Sequence, residues 1–151
     1  MRGRANIVYS PLGPEITIAK IRSQPLSIID LINNGTLSCE IAALFWLYIE
    51  GLRVKLANIM ISGGPGSGKT TLLNALLSFI SADQHIVVIE DTLELMTGWI
   101  PNASRLESTE ELTLADLVKN SLRMRPERII IGETRGQLHK TLLITTCICL
   151  S

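Results

Sequence analysis

The sequence predicts an α/β fold, a mainly parallel β-sheet with flanking helices, from three observations. A short apolar run at residues 57–62 leads through a glycine-rich octapeptide into a stretch with Leu72, Leu73, Leu76 and Leu77 at helical spacing. Two further apolar runs, residues 85–91 and 128–133, have strand length, are rich in β-branched residues and end in carboxylates. A helical pattern lies between them, as the strand–helix–strand units of a parallel sheet require.

The octapeptide is Gly63-Gly64-Pro65-Gly66-Ser67-Gly68-Lys69-Thr70, which fits G-x-x-x-x-G-K-[ST] with Gly63, Gly68, Lys69 and Thr70 at its fixed positions. Glycines let the backbone turn so that successive N–H groups face phosphate oxygens, helped by the positive end of the helix that follows. Lys69 then supplies a point charge for the β- and γ-phosphates of ATP, and the Thr70 hydroxyl a ligand for Mg²⁺. Thr71 completes the candidate nucleotide-binding set. The alternative is a glycine-rich turn that binds nothing. A dinucleotide fingerprint fails, because Gly64, Gly66 and Gly68 fall at every second position instead of G-x-G-x-x-G.

At 151 residues the chain fits one domain with a sizeable core. Its formal net charge of zero gives no reason to expect a nucleic-acid partner. Hydrophobic residues make up 46% and charged residues 19%, which excludes disorder and allows an apolar surface that something else covers. No stretch reaches the roughly 20 apolar residues of a membrane span, and the amino terminus lacks the apolar core of a secretory signal. A cytoplasmic location is the expectation. Cys39, Cys147 and Cys149 form no C-x-x-C and are expected to be buried thiols.

In chain order, residues 1–22 read as a β-hairpin turning at Pro11-Leu12-Gly13-Pro14, the end of a preceding domain together with a linker through residue 24. Helices are expected at residues 27–33 and 38–50, punctuated by Asn34-Gly35 and Gly51. The strand at 85–91 carries Glu90 and Asp91 to the ligand-binding edge of an open α/β sheet, unless these are solvated loop acids. A helix over 109–124 follows, with Thr113-Leu114-Ala115-Asp116 resembling a capping box and Pro126 blocking its continuation. The strand at 128–133 presents Glu133, placed to hold a metal-bound water or orient the attacking one. Many such ATPases carry Asp-Glu there; Gly132 stands in the aspartate's place.

Three blocks together resemble the type II/IV secretion system ATPases, the hexameric motors of type IV pili, archaeal flagella and secretion machines. They are residues 64–76; Ile89-Glu90-Asp91-Thr92-Leu93-Glu94-Leu95; and residues 122–136, which contain Arg123, Arg125, Glu133 and Arg135. The resemblance covers about residues 4–136. It implies a RecA-like P-loop NTPase core over 25–136, with ATP held by residues 63–71. Glu90 and Asp91 belong to the Asp box, with Thr70, Glu90 and Asp91 around Mg²⁺. Glu133 matches the catalytic glutamate of an atypical Walker B motif, with Glu90 beside it. It also implies a homo-hexamer, an inner-membrane platform protein as partner, and a site of action at the cytoplasmic membrane face. The three arginines match arginines of the same block, as phosphate contacts or as surface salt bridges.

The departures lie mainly at the two ends. Ala19 stands where the family tends to carry arginine, and His139 lacks the partner of a His box. In the family's sheet the next strand lies between the Walker A and Walker B strands. Reaching that slot in parallel takes on the order of a dozen residues, and only eight separate Glu133 from Leu142. Residues 137–151 are therefore expected to form a divergent tail that leaves the sheet incomplete, in a truncated or frame-shifted product with weak or no ATPase activity of its own. Two rivals remain: a catalytically defective nucleotide-binding subunit that docks with a full-length paralogue, and a small P-loop kinase. The latter would need an arginine-rich lid.

Overall fold

The computed structural model describes residues 3–20, 24–50, 57–132 and 141–146. The chain opens with an antiparallel hairpin, β1 (Gly3–Ser10) and β2 (Gly13–Lys20), paired from Gly3↔Lys20 to Ser10↔Gly13. The Ser10 hydroxyl ties the turn, donating to the Gly13 carbonyl at 3.1 Å while accepting from the Leu12 amide at 3.2 Å. Ile7, Tyr9, Leu12, Ile16 and Ile18 are all exposed, so the apolar surface anticipated from composition is present here.

Two helices follow as expected. The first, α1 (Ile28–Asn33), begins at a full capping box: the Asp30 amide donates to Ser27 Oγ, and Asp30 Oδ2 accepts from the Ser27 amide at 2.8 Å. The second, α2 (Cys39–Glu50), buries Ala42 and Ile49 and leaves Ile41, Leu44, Trp46, Leu47 and Tyr48 partly exposed. Cys39 is exposed in its first turn, contrary to the expectation of a buried thiol; Cys147 and Cys149 lie outside the described residues.

The main sheet has the order β3-β7-β6-β4-β5, with β3 (Ile59–Ser62), β4 (Ile86–Glu90), β5 (Ala103–Glu107), β6 (Arg128–Ile131) and β7 (Thr141–Thr146). Strands β4, β5 and β6 are mutually parallel, while β7 runs antiparallel to both β3 and β6. It follows that β3 is parallel to β6, and that β3, β4 and β6 end at one edge of the sheet. The expectation of an incomplete sheet is corrected here: residues 141–146 do fill the slot between β3 and β6. They fill it antiparallel, with Thr141 opposite Ser62 and Leu143 opposite Ile131. An antiparallel strand enters from the edge where β6 ends and needs no crossover, which removes the length objection.

Alternation along β4 divides the core in two. Ile86 and Val88 pack on one face with Ile130, the helix α3 (Lys69–Leu77), and residues of α1 and α2. Val87 and Ile89 pack on the other with Ile129, Ile131 and the helix α4 (Leu114–Ser121). All five residues of β4 are buried, and the first four form a continuous apolar run. Helix α4 starts at Leu114 behind its Thr113 cap, later than the expected residue 109, because residues 109–112 close a turn of their own through Thr109 and Leu112. A short 3₁₀ turn, Leu122–Met124, carries it to the expected end. Strand β5 was not anticipated: Ala-Ser-Arg-Leu-Glu carries no clear alternation, and an edge position does not demand one.

Arg128, at the start of β6, is fully buried and joins distant elements. Its Nε donates to Gln84 Oε1 at 2.7 Å and one terminal nitrogen donates to the Ile49 carbonyl at the end of α2. Burial pulls its pKa down, and Glu50 nearby opposes that fall. Removing this side chain would strand the Ile49 carbonyl and open a cavity. Arg128→Ala is expected to cost about 2–4 kcal/mol in urea unfolding, with faster amide exchange at the end of α2.

The two exposed capping carboxylates respond to acid. Side-chain bonds from Ser27 and Thr113 hold Asp30 and Asp116 below the ordinary carboxyl value of 3.8. Their contribution is fully present above 3.8 and is lost as the pH falls through the lowered values. NMR titration should give midpoints for both residues below 3.8, with loosening of the first turns of α1 and α4 on the acid side.

Candidate nucleotide site

Strand β3 ends at Ser62 and the chain turns through Gly63–Gly68 directly into α3, which begins at Lys69. Gly66 and Gly68 have φ of 73° and 87°, and Gly68 is the N-cap. Residues with a Cβ strongly disfavour that region, so the turn into the helix depends on glycine at both. Lys69, Thr70 and Thr71 occupy the first turn of α3, where backbone N–H groups lack intrahelical acceptors and the helix dipole is positive. The Lys69 ammonium donates to the carbonyls of Gly63 at 2.8 Å and Gly64 at 2.7 Å. It thereby folds back over the loop it follows.

The parallel strands bring the ends of β4 and β6 to the same sheet edge as this loop. Glu90 ends β4 on the face shared with α3, and only 2% of it is exposed. Its Oε1 accepts from the amides of Glu94 at 3.0 Å and Leu95 at 2.9 Å, and its Oε2 pairs with Arg105 at 3.1 Å. This carboxylate, expected at metal and water, is committed to protein donors. Gly132 explains how it fits: a Cβ there would lie 2.5 Å from Glu90 Cγ. The glycine in the aspartate's place is the space that Glu90 occupies.

Asp91 falls on the other face by alternation. It accepts from the Ser108 hydroxyl and lines an open cleft of about 700 Å³ with Ser108, Thr109, Glu110, Thr113, Leu114 and Ala115, at the start of α4. No residue of the glycine loop lines that cleft. Among the described residues no cluster of three or more histidine, cysteine or acidic side chains could hold a metal ion. Glu133 and Arg135 lie outside the described residues. Arg123 and Arg125 are exposed on the turn that precedes β6, at the sheet edge opposite the glycine loop.

Two residues passed over in the sequence prove to organise this edge. Asn74, 8% exposed on α3, donates from Nδ2 to the Thr70 carbonyl at 3.0 Å and accepts at Oδ1 from the Met96 amide at 2.8 Å. Arg105, on the unanticipated β5, neutralises Glu90. A polar residue within a leucine-rich helix was the only signal for the first; nothing in sequence marked the second.

A family model described as "Type II/IV secretion system protein" matches residues 3–147. The chain belongs to that family. The match passes residue 136 and takes in β7, so the family region reaches beyond the motif blocks. The chain is 46% identical over 140 residues to the uncharacterised protein MJ0781 of Methanocaldococcus jannaschii, covering 87% of this chain and 19% of the relative. It spans 19%, 25% and 45% of the lengths of three such relatives from that organism. Among solved structures, the pilus retraction motor PilT with bound ADP aligns at a TM-score of 0.60 and 21% identity, over 89% of this chain and 37% of that one. The VirB11 ATPase of the Brucella suis type IV secretion system, in complex with sulphate, aligns at 0.51 and 24%, over 87% and 49%. At these identities the likeness establishes a shared α/β fold. No helix among the described residues is long and apolar enough to cross a membrane.

The contact between Gly132 and Glu90 gives this secretion-family chain a sharp expectation. Gly132→Ala should lower stability by about 1–3 kcal/mol in urea unfolding and speed exchange of the Glu94 and Leu95 amides. Gly64→Ala, whose Cβ would meet nothing within 4 Å, should stay within about 0.5 kcal/mol of the parent.

Proposed function

We propose that the chain is the nucleotide-binding part of an ATP-driven secretion, pilus or archaeal-flagellum motor domain. The observation that carries the reading is the loop at residues 63–70. Its left-handed glycines, its lysine and the open first turn of α3 stand at the sheet edge where β4 and β6 also end. Family membership supports it, as do an ATPase and an ADP-bound motor among the structural neighbours.

In this reading the loop amides and the first turn of α3 receive the phosphates, and Lys69 leaves the carbonyls of Gly63 and Gly64 to meet the β- and γ-oxygens. The residues fit such a group, since they offer N–H donors and the Lys69 ammonium beside them. Thr70 would hold Mg²⁺, which supplies charge neutralisation of the terminal phosphates when bound. Glu133, next after Gly132, is the residue assigned to orient the attacking water. Glu90 is reassigned from metal and catalysis to holding the segment after β4, because its oxygens already have three protein donors. Asp91 supports that segment through Ser108, and its assignment beside Mg²⁺ belongs to the same proposal. A homo-hexameric ring, contact with an inner-membrane platform protein and action at the cytoplasmic face follow from the family and belong to the same proposal.

Titration with a fluorescent ATP analogue in Mg²⁺ tests it. Saturable binding is expected, and Lys69→Ala should weaken it at least about tenfold, or roughly 1.4 kcal/mol. No saturable binding by the parent chain overturns the reading. Phosphate release by the chain alone marks a motor; release altered only when a full-length family member is added marks the non-catalytic subunit.

A further inference from the structure

The segment after β4, residues 91–97, has neither helix nor strand, yet Leu95 and Thr97 are 2% and 5% exposed. Buried irregular backbone is costly unless its N–H groups find acceptors. Three successive amides find them in two side chains from different elements. Glu94 and Leu95 donate to Glu90 of β4, and Met96 donates to Asn74 of α3.

Asn74 does a second thing at the same time. Its Nδ2 donates to the carbonyl of Thr70, one helical turn back. The amide orientation is fixed by chemistry, since a carbonyl only accepts and a backbone N–H only donates. A carboxylate at this position lacks the donor, leucine lacks both groups, and serine is too short to span both partners.

We infer that Asn74 is a positioning residue, coupling the first turn of the phosphate-loop helix to the acidic segment 91–97. Any shift of α3 at Thr70 is passed through one side chain to Met96, two residues from Glu94. The inference rests on the reading that residues 63–70 receive a nucleotide, and it adds the route by which occupancy reaches the segment. Glu90 anchors the same segment to the sheet, so Asn74 is the link on the nucleotide side.

Hydrogen exchange by mass spectrometry, with and without Mg-ATP, tests this on the full chain and on Asn74→Leu, which keeps the branching of the side chain and removes both polar groups. Without nucleotide, Asn74→Leu should speed exchange across residues 94–96 at least tenfold while β4 and β6 amides keep their rates. With nucleotide, the parent should gain further protection at 94–96, and the variant should bind ATP through its intact loop without that gain. A merely structural role predicts loss spread over the whole sheet and an unchanged ATP response. Either of those, or unaltered exchange at 94–96, overturns the inference. If Asn74→Leu does not fold, Asn74→Ser gives the same comparison. A parent chain that binds no ATP sinks the functional reading and the coupling with it, while the nucleotide-free exchange still decides whether Asn74 holds the segment.

Discussion

The backbone ladder on both sides of β7 is the constraint on which the molecule depends. The glycine loop hangs from β3, and the acidic ends belong to β4 and β6; nothing but β7 joins the first strand to the other two within the sheet. Four residue pairs tie it to β3 and four to β6. Those pairs bring the elements of the candidate site to one edge. The strand runs against the direction of its neighbours, and this is the one orientation that a short link from the end of β6 permits without a crossover helix. A mixed sheet results, with parallel strands on its β4 side and an antiparallel strand next to its β3 edge.

Around that edge the buried polar residues serve mainly to build backbone. Glu90 sits where an acid would be taken for a metal ligand, but its burial is tolerated because Arg105 and two amides satisfy it. Gly132 leaves the room it needs. Asn74 meets the same rule within an apolar helix, with both ends of its amide bonded. Together they fix an otherwise irregular segment between the loop helix and the sheet. Lys69, by contrast, donates among the described residues to two loop carbonyls, neutral acceptors that a phosphate can replace.

The opposite end of the molecule carries a different kind of organisation. Arg128 ties the end of α2 to the start of β6, far from the glycine loop, and fixes the amino-terminal helices on the sheet. The hairpin and the outer side of α2 leave apolar side chains in solvent.

The sequence alone determined what depends on local pattern. The spacing of Gly63, Gly68, Lys69 and Thr70 gave the loop. The β-branched runs gave β4 and β6, the Asn34-Gly35 break separated α1 from α2, and the hairpin showed in its turn residues. Each of these is set within a few residues of chain, where steric preference and hydrogen bonding act without help from the rest of the fold. Tertiary structure decided whatever needed a partner from far away. It set the antiparallel insertion of Thr141–Thr146, the edge strand at Ala103–Glu107, and the assignment of Glu90 to Arg105 and the Glu94 and Leu95 amides. A carboxylate looks the same in sequence whether it faces solvent, a metal or a buried guanidinium; only the neighbours brought by the fold determine which one it meets.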